Sequence, residues 1–294
     1  MRTVLITTSG IGSRLGEYTE HTNKSLVRVG DKFAICHIID KFDHETTRFV
    51  ITLGYYGNLV KEFLDLAYAN NKFVYVTVDK YQGEGSSLAY SLLQAQNELQ
   101  CPFTFFCCDS IVLDEMETNP NYNIIYVAKC SDSSQYTSIN ANGSSILKLN
   151  SKGEKNFDYV YTGVTYIHDY EQYWLKMKEK YELNPSDKEL GDIQVLQHFI
   201  DDPEINIKYK ILNEWIDIGN INSYNKACEH FKCNYNVLYK KDESICFFND
   251  KVIKFFNNEK KNDDRVKRGK LFGSIVPKIL GNSPHFFSME LVDG

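Results

Sequence analysis

Arg2-Thr3-Val4-Leu5-Ile6-Thr7-Thr8 runs directly into Ser9-Gly10-Ile11-Gly12-Ser13-Arg14-Leu15. The first segment is a short apolar run with β-branched residues and reads as a buried strand. The second carries two glycines, which let the backbone turn with φ > 0 and aim successive N–H groups into one concavity. A strand ending in such a turn opens an α/β fold whose ligand lies beyond the carboxyl ends of the strands. The next hundred residues repeat the alternation. Residues 34–42 read as a helix, and 49–53 as a second strand ending at Gly54. Residues 58–69 place Leu59, Phe63 and Ala67 on one helical face, 73–78 form a third strand, and 86–99 form another helix. Residues 103–108 are apolar throughout, as expected of a strand covered on both faces. Further strands fall at about 123–129 and 159–167, and Ser186 caps a helix over 187–201. The pattern predicts an α/β fold with a mainly parallel mixed sheet.

The chain has 294 residues, 43% hydrophobic and 24% charged, enough for a large core without staples. Its 20 Tyr and 18 Phe exclude intrinsic disorder. No apolar run is long enough to span a membrane or to serve as a secretory signal. The net charge of −6 argues against a general nucleic-acid binder, which needs a basic field. The 8 cysteines include no C-x-x-C, so no zinc or thioredoxin-like site is indicated, and reduced cytoplasmic thiols are expected. The seven histidines are scattered without paired spacing and read as structural or surface residues.

The glycine turn does not fit a dinucleotide fingerprint, because Leu15 stands where G-x-G-x-x-G requires glycine. It does not fit a Walker loop either, since Lys24-Ser25 lacks the preceding glycine. Its physical meaning survives both failures: a concavity of N–H groups suits phosphate oxygens. Arg14 would add a bidentate cation and Lys24 a point charge. Taken alone, the same residues could equally form a plain tight turn with a solvent-facing arginine.

Gly10-Ile11-Gly12-Ser13-Arg14-Leu15, followed nine residues on by Lys24-Ser25-Leu26-Val27, resembles the sugar-nucleotidyltransferase family, whose pattern is G-x-G-[ST]-R-L and then P-K-x-L. Asn23 replaces the usual proline, and Gly16 stands near the loop's usual proline. Other resemblances follow in order: Gly54-Tyr55, Gly85-Ser86-Ser87, Asp109 after the fourth strand, Thr162-Gly163, and Trp215-Ile216-Asp217-Ile218-Gly219 for W-x-D-x-G. Together they cover residues 1 to about 230.

The resemblance implies a Rossmann-like nucleotidyltransferase fold and a magnesium-dependent enzyme of the pyrophosphorylase type. A phosphate oxygen of a small phosphorylated acceptor would attack the α-phosphorus of an NTP. The nucleophile is already an anion, so catalysis reduces to positioning two anions and offsetting their repulsion. Asp109 and Asp217 would be the Mg2+ ligands, and Arg14 and Lys24 the catalytic cations. Ser9, Gly10, Gly12, Ser13, Arg14, Gly85 and Ser86 would bind the nucleotide. Lys152, Thr162 and Gly163 would meet the acceptor, although Ser151 stands where the family has glutamate. Each carboxylate could instead cap a helix or close a turn, and Lys152 could be an exposed loop lysine. The base is not readable.

Near residue 232 the texture changes to short strands and a Lys-, Asn-, Asp- and Arg-rich stretch over 257–268. Phe247-Phe248-Asn249-Asp250-Lys251-Val252 signals a hairpin. The strand Val252-Ile253-Lys254-Phe255-Phe256, a basic helix at about 260–274, and the stretch from Phe286 to Asp293-Gly294 resemble the amino-terminal lobe and hinge of choline-kinase and aminoglycoside-phosphotransferase-type kinases. That resemblance implies a phosphate contact for Lys254 and a fragment or shortened form of a two-enzyme chain. The expected domains are 1–232, a nucleotidyltransferase, and 233–294, a partial kinase-lobe-like α+β piece.

The expected activity is formation of a nucleotide-activated sugar and pyrophosphate from an NTP and a sugar 1-phosphate, in the cytoplasm, with no nucleic-acid or membrane partner; a homo-oligomer stays open. The alternatives are a cytidylyltransferase acting on phosphocholine or a similar phosphorylated amino alcohol, and a non-catalytic nucleotide-binding scaffold.

Overall fold

The computed structural model describes residues 1–235 and 237–292. Its first elements are β1 (Arg2–Thr7), β2 (Arg28–Val29), β3 (Lys32–Phe33), α1 (Ala34–Ile39), β4 (Thr47–Leu53), α2 (Gly57–Ala67), β5 (Lys72–Thr77), α3 (Leu88–Ala95) and β6 (Phe103–Cys107). Then come β7 (Ser110–Val112), β8 (Asn123–Ala128), β9 (Ser138–Asn142), β10 (Ser145–Asn150), β11 (Tyr159–Ile167), α4 (Tyr170–Leu183), α5 (Ile193–Asp201), β12 (Ile207–Leu212), β13 (Trp215–Asp217) and α6 (Ile221–His230). The chain continues through β14 (Glu243–Phe247), β15 (Lys251–Phe256), α7 (Glu259–Phe272), β16 (Ile279–Asn282) and β17 (Phe286–Glu290).

Val4, Leu5 and Ile6 are wholly buried because β1 lies in the middle of a nine-stranded sheet, between parallel neighbours β4 and β6. Side chains alternate across a strand. Val4 and Ile6 therefore enter a core with α1 and α2, while Leu5 enters a second core with α3, α4 and α5. The strand order is β10-β9-β11-β6-β1-β4-β5, with β8 pairing β11 and β12. β11 is antiparallel to β6, β8 and β9, and β12 is parallel to β8. The sheet is thus parallel at its centre and mixed beyond β6, as the alternation of elements predicts.

Three predicted helices are shorter than expected: 34–42 is α1, ending at Ile39, 86–99 is α3 over Leu88–Ala95, and the third departs further. The helix over 187–201 with a Ser186 cap is instead α5, starting at Ile193. The Asp187 carboxylate accepts from the Glu189 backbone N–H at 2.9 Å, an Asx turn that competes with helix, and Ser186 Oγ points to Glu84. Gly191, packed against Leu88, adds a second break.

The carboxyl-terminal residues form a separate four-stranded antiparallel sheet, β14-β15-β17-β16, with α7 on one face. Its other face contributes Cys246, Ile253, Phe255 and Phe286 to the core built on α1 and α2. Asp293-Gly294, the end of the hinge-like stretch, lies outside the described residues. Among the described residues no helix is long and apolar enough to cross a membrane.

Candidate active site

The turn after β1 takes its shape from Gly12, whose φ is +70°. A Cβ on Gly12 would stand 2.9 Å from Lys24 Cβ, so the loop closes directly onto the lysine stem. Asn23 explains why this turn does without proline. Its amide donates to the Thr8 and Tyr55 carbonyls at 2.8 and 2.6 Å, and its oxygen accepts from the Ser25 N–H at 2.8 Å. The buried side chain holds Lys24 at the start of a short 3-10 turn, facing the carboxyl end of β6.

Asp109 follows β6, and Asp217 ends β13. They meet because β7 and β13 form an antiparallel pair with Ser110 opposite Asp217, extended by the Ile218 N–H to the Asp109 carbonyl at 2.9 Å. Gly219 leaves open the space between them. A Cβ there would lie 2.9 Å from Asp217 Oδ1, 3.1 Å from Asp109 Oδ2 and 3.4 Å from an Arg14 guanidinium nitrogen. Two carboxylates separated by 107 residues in sequence, with one guanidinium, thus face one point.

The electrostatics follow from this crowding. Lys24 donates to Asp109 in a close ion pair. Burial favours the neutral form of Asp109, but Lys24 and Arg14 outweigh it and hold the carboxyl below its ordinary value. Lys24 is held above its own ordinary value in the same way, against the pull of burial. Asp217 forms no such ion pair and is raised, by burial first and then by the Asp109 charge, against the weaker opposing pull of Ser223 and Lys24.

A cleft of about 350 Å³ gathers most of the expected nucleotide-binding residues, Ser9, Gly10, Gly12, Ser13, Arg14 and Ser86, together with the expected catalytic Lys24 and metal ligand Asp109. Gly85 turns with φ +76° beside it, and Ser87 caps α3 by accepting from the Tyr90 N–H at 3.1 Å. Gly163 (φ +75°) lies against Cys107 on the cleft wall, and Thr162 is buried next to it. Lys152 stands apart, exposed in the turn after β10.

Sequence reading missed several neighbours. Tyr136 donates to Asp217 Oδ2 at 3.1 Å and packs edge-on to Trp215 at 5.4 Å between centroids. Gln135 accepts from Arg14 at 3.4 Å. Ser110 donates to the Thr162 carbonyl and accepts from the Trp215 indole N–H at 3.0 Å. None carries a motif: Ser110 arrives through the register of β7 with β13, and Gln135 and Tyr136 through the turn before β9.

Among the described residues no cluster of three or more His, Cys, Asp or Glu side chains could cage a metal. The residues do fit magnesium, which takes hard oxygen ligands and is commonly held by one or two carboxylates together with substrate phosphates. The open point in front of Gly219 supplies two such carboxylates.

No protein-family model matches the sequence. A stretch of 118 residues is 27% identical to the bifunctional protein GlmU of Methanococcus maripaludis, covering 40% of this chain and 27% of that protein. The match thus spans about a quarter of that relative's length. Among solved structures, the CTP:phosphocholine cytidylyltransferase of Streptococcus pneumoniae superposes with a TM-score of 0.67 at 20% identity, over 79% of this chain and all of the other. A UDP-glucose pyrophosphorylase complexed with UDP-glucose gives 0.65 at 14% identity, over 79% and 98%. The inositol-1-phosphate CTP transferase of T. maritima gives 0.58 at 20%, over 81% and 98%. The chain has the Rossmann-like α/β fold of these nucleotidyltransferases.

Proposed function

We propose that the chain is a nucleotidyltransferase that makes a nucleotide-activated sugar and pyrophosphate from an NTP and a sugar 1-phosphate. The observation that carries this reading is the convergence of Asp109, Asp217 and Arg14 on the space in front of Gly219, beside a cleft lined by the glycine turn and Lys24. Turn N–H groups, Arg14 and Lys24 would bind the triphosphate and offset its charge. A phosphate oxygen of the acceptor would form a bond to the α-phosphorus as the bond to the pyrophosphate oxygen breaks. Asp109 and Asp217 would hold Mg2+, whose chemistry there is charge stabilisation on phosphate oxygens. Lys24 must exchange its Asp109 partner, at least in part, for substrate phosphate. Thr162 and Gly163 would shape the acceptor side, with Lys152 as a second phosphate contact. Pyrophosphate release from the full chain, with each NTP against a panel of sugar 1-phosphates, tests the reading.

A second reading is a cytidylyltransferase for phosphocholine or a similar amino alcohol. It is favoured by Tyr136 and Trp215, two aromatic rings beside Asp217, a combination that suits a quaternary ammonium. Ser151 in place of a carboxylate points the same way, since hexose hydroxyls lose a partner. Phosphocholine in the acceptor panel separates the two.

Residues 1–232 would be the transferase domain and 233–294 a kinase-lobe-like unit, supported by the separate antiparallel sheet that carries Lys254 on β15. A cytoplasmic location accords with the reduced thiols expected from sequence.

A further inference from the structure

Strand β11 pairs with β8 as Tyr161↔Val127 and then Val164↔Tyr126. Three steps along β11 match one step along β8, so Thr162 and Gly163 have no ladder partner on β8 and form a bulge, with the Thr162 hydroxyl donating to the Tyr126 carbonyl at 2.7 Å. Gly163 packs against Cys107, where a Cβ would come within 3.1 Å of both the Cys107 Cβ and Sγ. Cys107 lines the nucleotide cleft. The bulge therefore backs onto the cleft wall at Cys107, on the side where the transferase reading puts the acceptor.

A two-residue excursion in a central strand needs its ends fixed. Tyr161 and Thr165 pair with Val127 and Ile125, two residues apart on β8, so their side chains leave the same face of the sheet. The Tyr161 hydroxyl lies 2.7 Å from Thr165 Oγ1 and donates to Asp192 Oδ2 at 2.5 Å. All three residues are buried, Asp192 to 3% exposure. Such a carboxylate is costly to bury and has to be held by its partners. Asp192 immediately precedes α5, and two residues earlier the Leu190 carbonyl accepts from the Ala89 N–H in the first turn of α3 at 3.0 Å. The same short segment thus touches the bulge on one side and the nucleotide-facing end of α3 on the other.

We infer that Asp192 is a positioning residue of the transfer reaction, acting through Tyr161 and Thr165 to fix the β11 bulge that seats Gly163 against Cys107, the cleft-wall residue on the side of the phosphorylated acceptor. The inference rests on the transferase reading for the acceptor's identity, and on the hydrogen-bond geometry alone for the clamp. Asp192 itself touches no substrate, so its loss should be felt in acceptor binding more than in nucleotide binding.

The test uses the full chain with Tyr161→Phe, Asp192→Ala and Asp192→Asn. Without substrates, amide hydrogen exchange at 162–164 should speed up at least about tenfold in Tyr161→Phe and Asp192→Ala, because the bulge loses the clamp across its two ends and keeps only the Thr162 bonds to Tyr126 and Ser110. With the NTP and acceptor that the wild type uses best, acceptor KM should rise at least about tenfold while NTP KM stays within about threefold. Asp192→Asn keeps an oxygen for the Tyr161 hydroxyl and should recover most of both effects. Unchanged exchange and unchanged acceptor KM in Tyr161→Phe, which loses only a hydroxyl and keeps the ring, would overturn the inference. So would an equal loss for both substrates. If the wild type transfers to no acceptor, the transferase reading falls and takes the positioning role with it, and the exchange data then decide the clamp alone.

Discussion

The Lys24 ammonium donates to the Asp109 carboxylate beneath the glycine turn. Both groups are largely buried, with side-chain exposures of 12% and 18%. The cation best placed for substrate phosphate is therefore already paired with one of the two carboxylates best placed for a metal. In the ligand-free chain each keeps the other charged and in position.

That pairing predicts a cycle. Lys24→Met should leave Asp109 without its cation and lower stability by about 1–3 kcal/mol. Turnover should fall at least about 100-fold, since phosphate charge goes uncompensated. Adding Asp109→Asn should restore most of the stability and none of the activity. Thermal melts and pyrophosphate release on both variants check this; a double variant no more stable than Lys24→Met would mean that the pair is not what the fold relies on.

Gly219 offers a sharper probe of the space between the carboxylates. An added methyl would sit 2.9 Å from Asp217 Oδ1 and 3.1 Å from Asp109 Oδ2. Gly219→Ala should cut turnover at least about tenfold by occupying the metal's place or splaying its ligands, as should Asp217→Asn by removing a ligand. Far-ultraviolet circular dichroism should be unchanged in both. Normal turnover in Gly219→Ala would show that nothing needs that space.

Much of this site was legible in the sequence, for a physical reason. Gly12 and Arg14 lie in the turn after β1, Lys24 follows on a second short 3-10 turn, and Asp109 comes just after an unmistakably apolar strand, so local chemistry announces them. Asp217 was legible only through its ordered company with the others. Tyr136, Ser110 and Asp192 were not legible, because their roles come from long-range contacts: Ser110 through the register of β7 with β13, Tyr136 and Asp192 from the loops before β9 and α5. Tyr136 reaches Asp217 across 81 residues of sequence, and Asp192 matters through a bulge visible only in the pairing of β11 with β8. The overlong helix at 187–201 failed where side chains compete with the backbone: Asp187 makes its own turn and Gly191 packs under Leu88.

Asp192 also sets a pH dependence. Burial pushes its carboxyl up to about 6, against the opposing hydrogen bond from Tyr161. The titratable groups that face it are Tyr161 on β11, Cys107 on β6 and Tyr173 on α4. The folded value lies above the unfolded one, so the folded state binds more protons between about pH 4 and 6. The Asp192 contribution to stability is therefore fullest below about pH 4 and is lost as pH rises towards 6. Relative to Asp192→Asn, the wild type should gain stability as pH falls from 7 to 4. Denaturant melts of both proteins across that range check it, and parallel curves would contradict it.

The carboxyl-terminal sheet should matter for stability rather than chemistry. Phe286 packs 5.8 Å from Phe63 between ring centroids, and Phe255 and Ile253 are buried in the same core. Each such side chain contributes about 1.5–3 kcal/mol on burial. Deleting residues from 236 onward should therefore lower Tm sharply. Lys254 lies on the opposite, α7-facing side of β15, and burial together with Arg265 lowers its pKa. Lys254→Ala should leave nucleotidyl transfer within about twofold, the scale of a change outside the site. A large loss in a well-folded Lys254→Ala chain would join the two parts into one active site.

The most direct measurement is pyrophosphate release by the full wild-type chain, with each NTP against sugar 1-phosphates and phosphocholine, in the presence of Mg2+ and again with a chelator in excess. The account predicts release with at least one NTP and acceptor pair, lost when the metal is chelated and reduced at least about 100-fold in Asp109→Asn. Release that is indifferent to Asp109 and Asp217, or none with any pair from a folded chain, would contradict it.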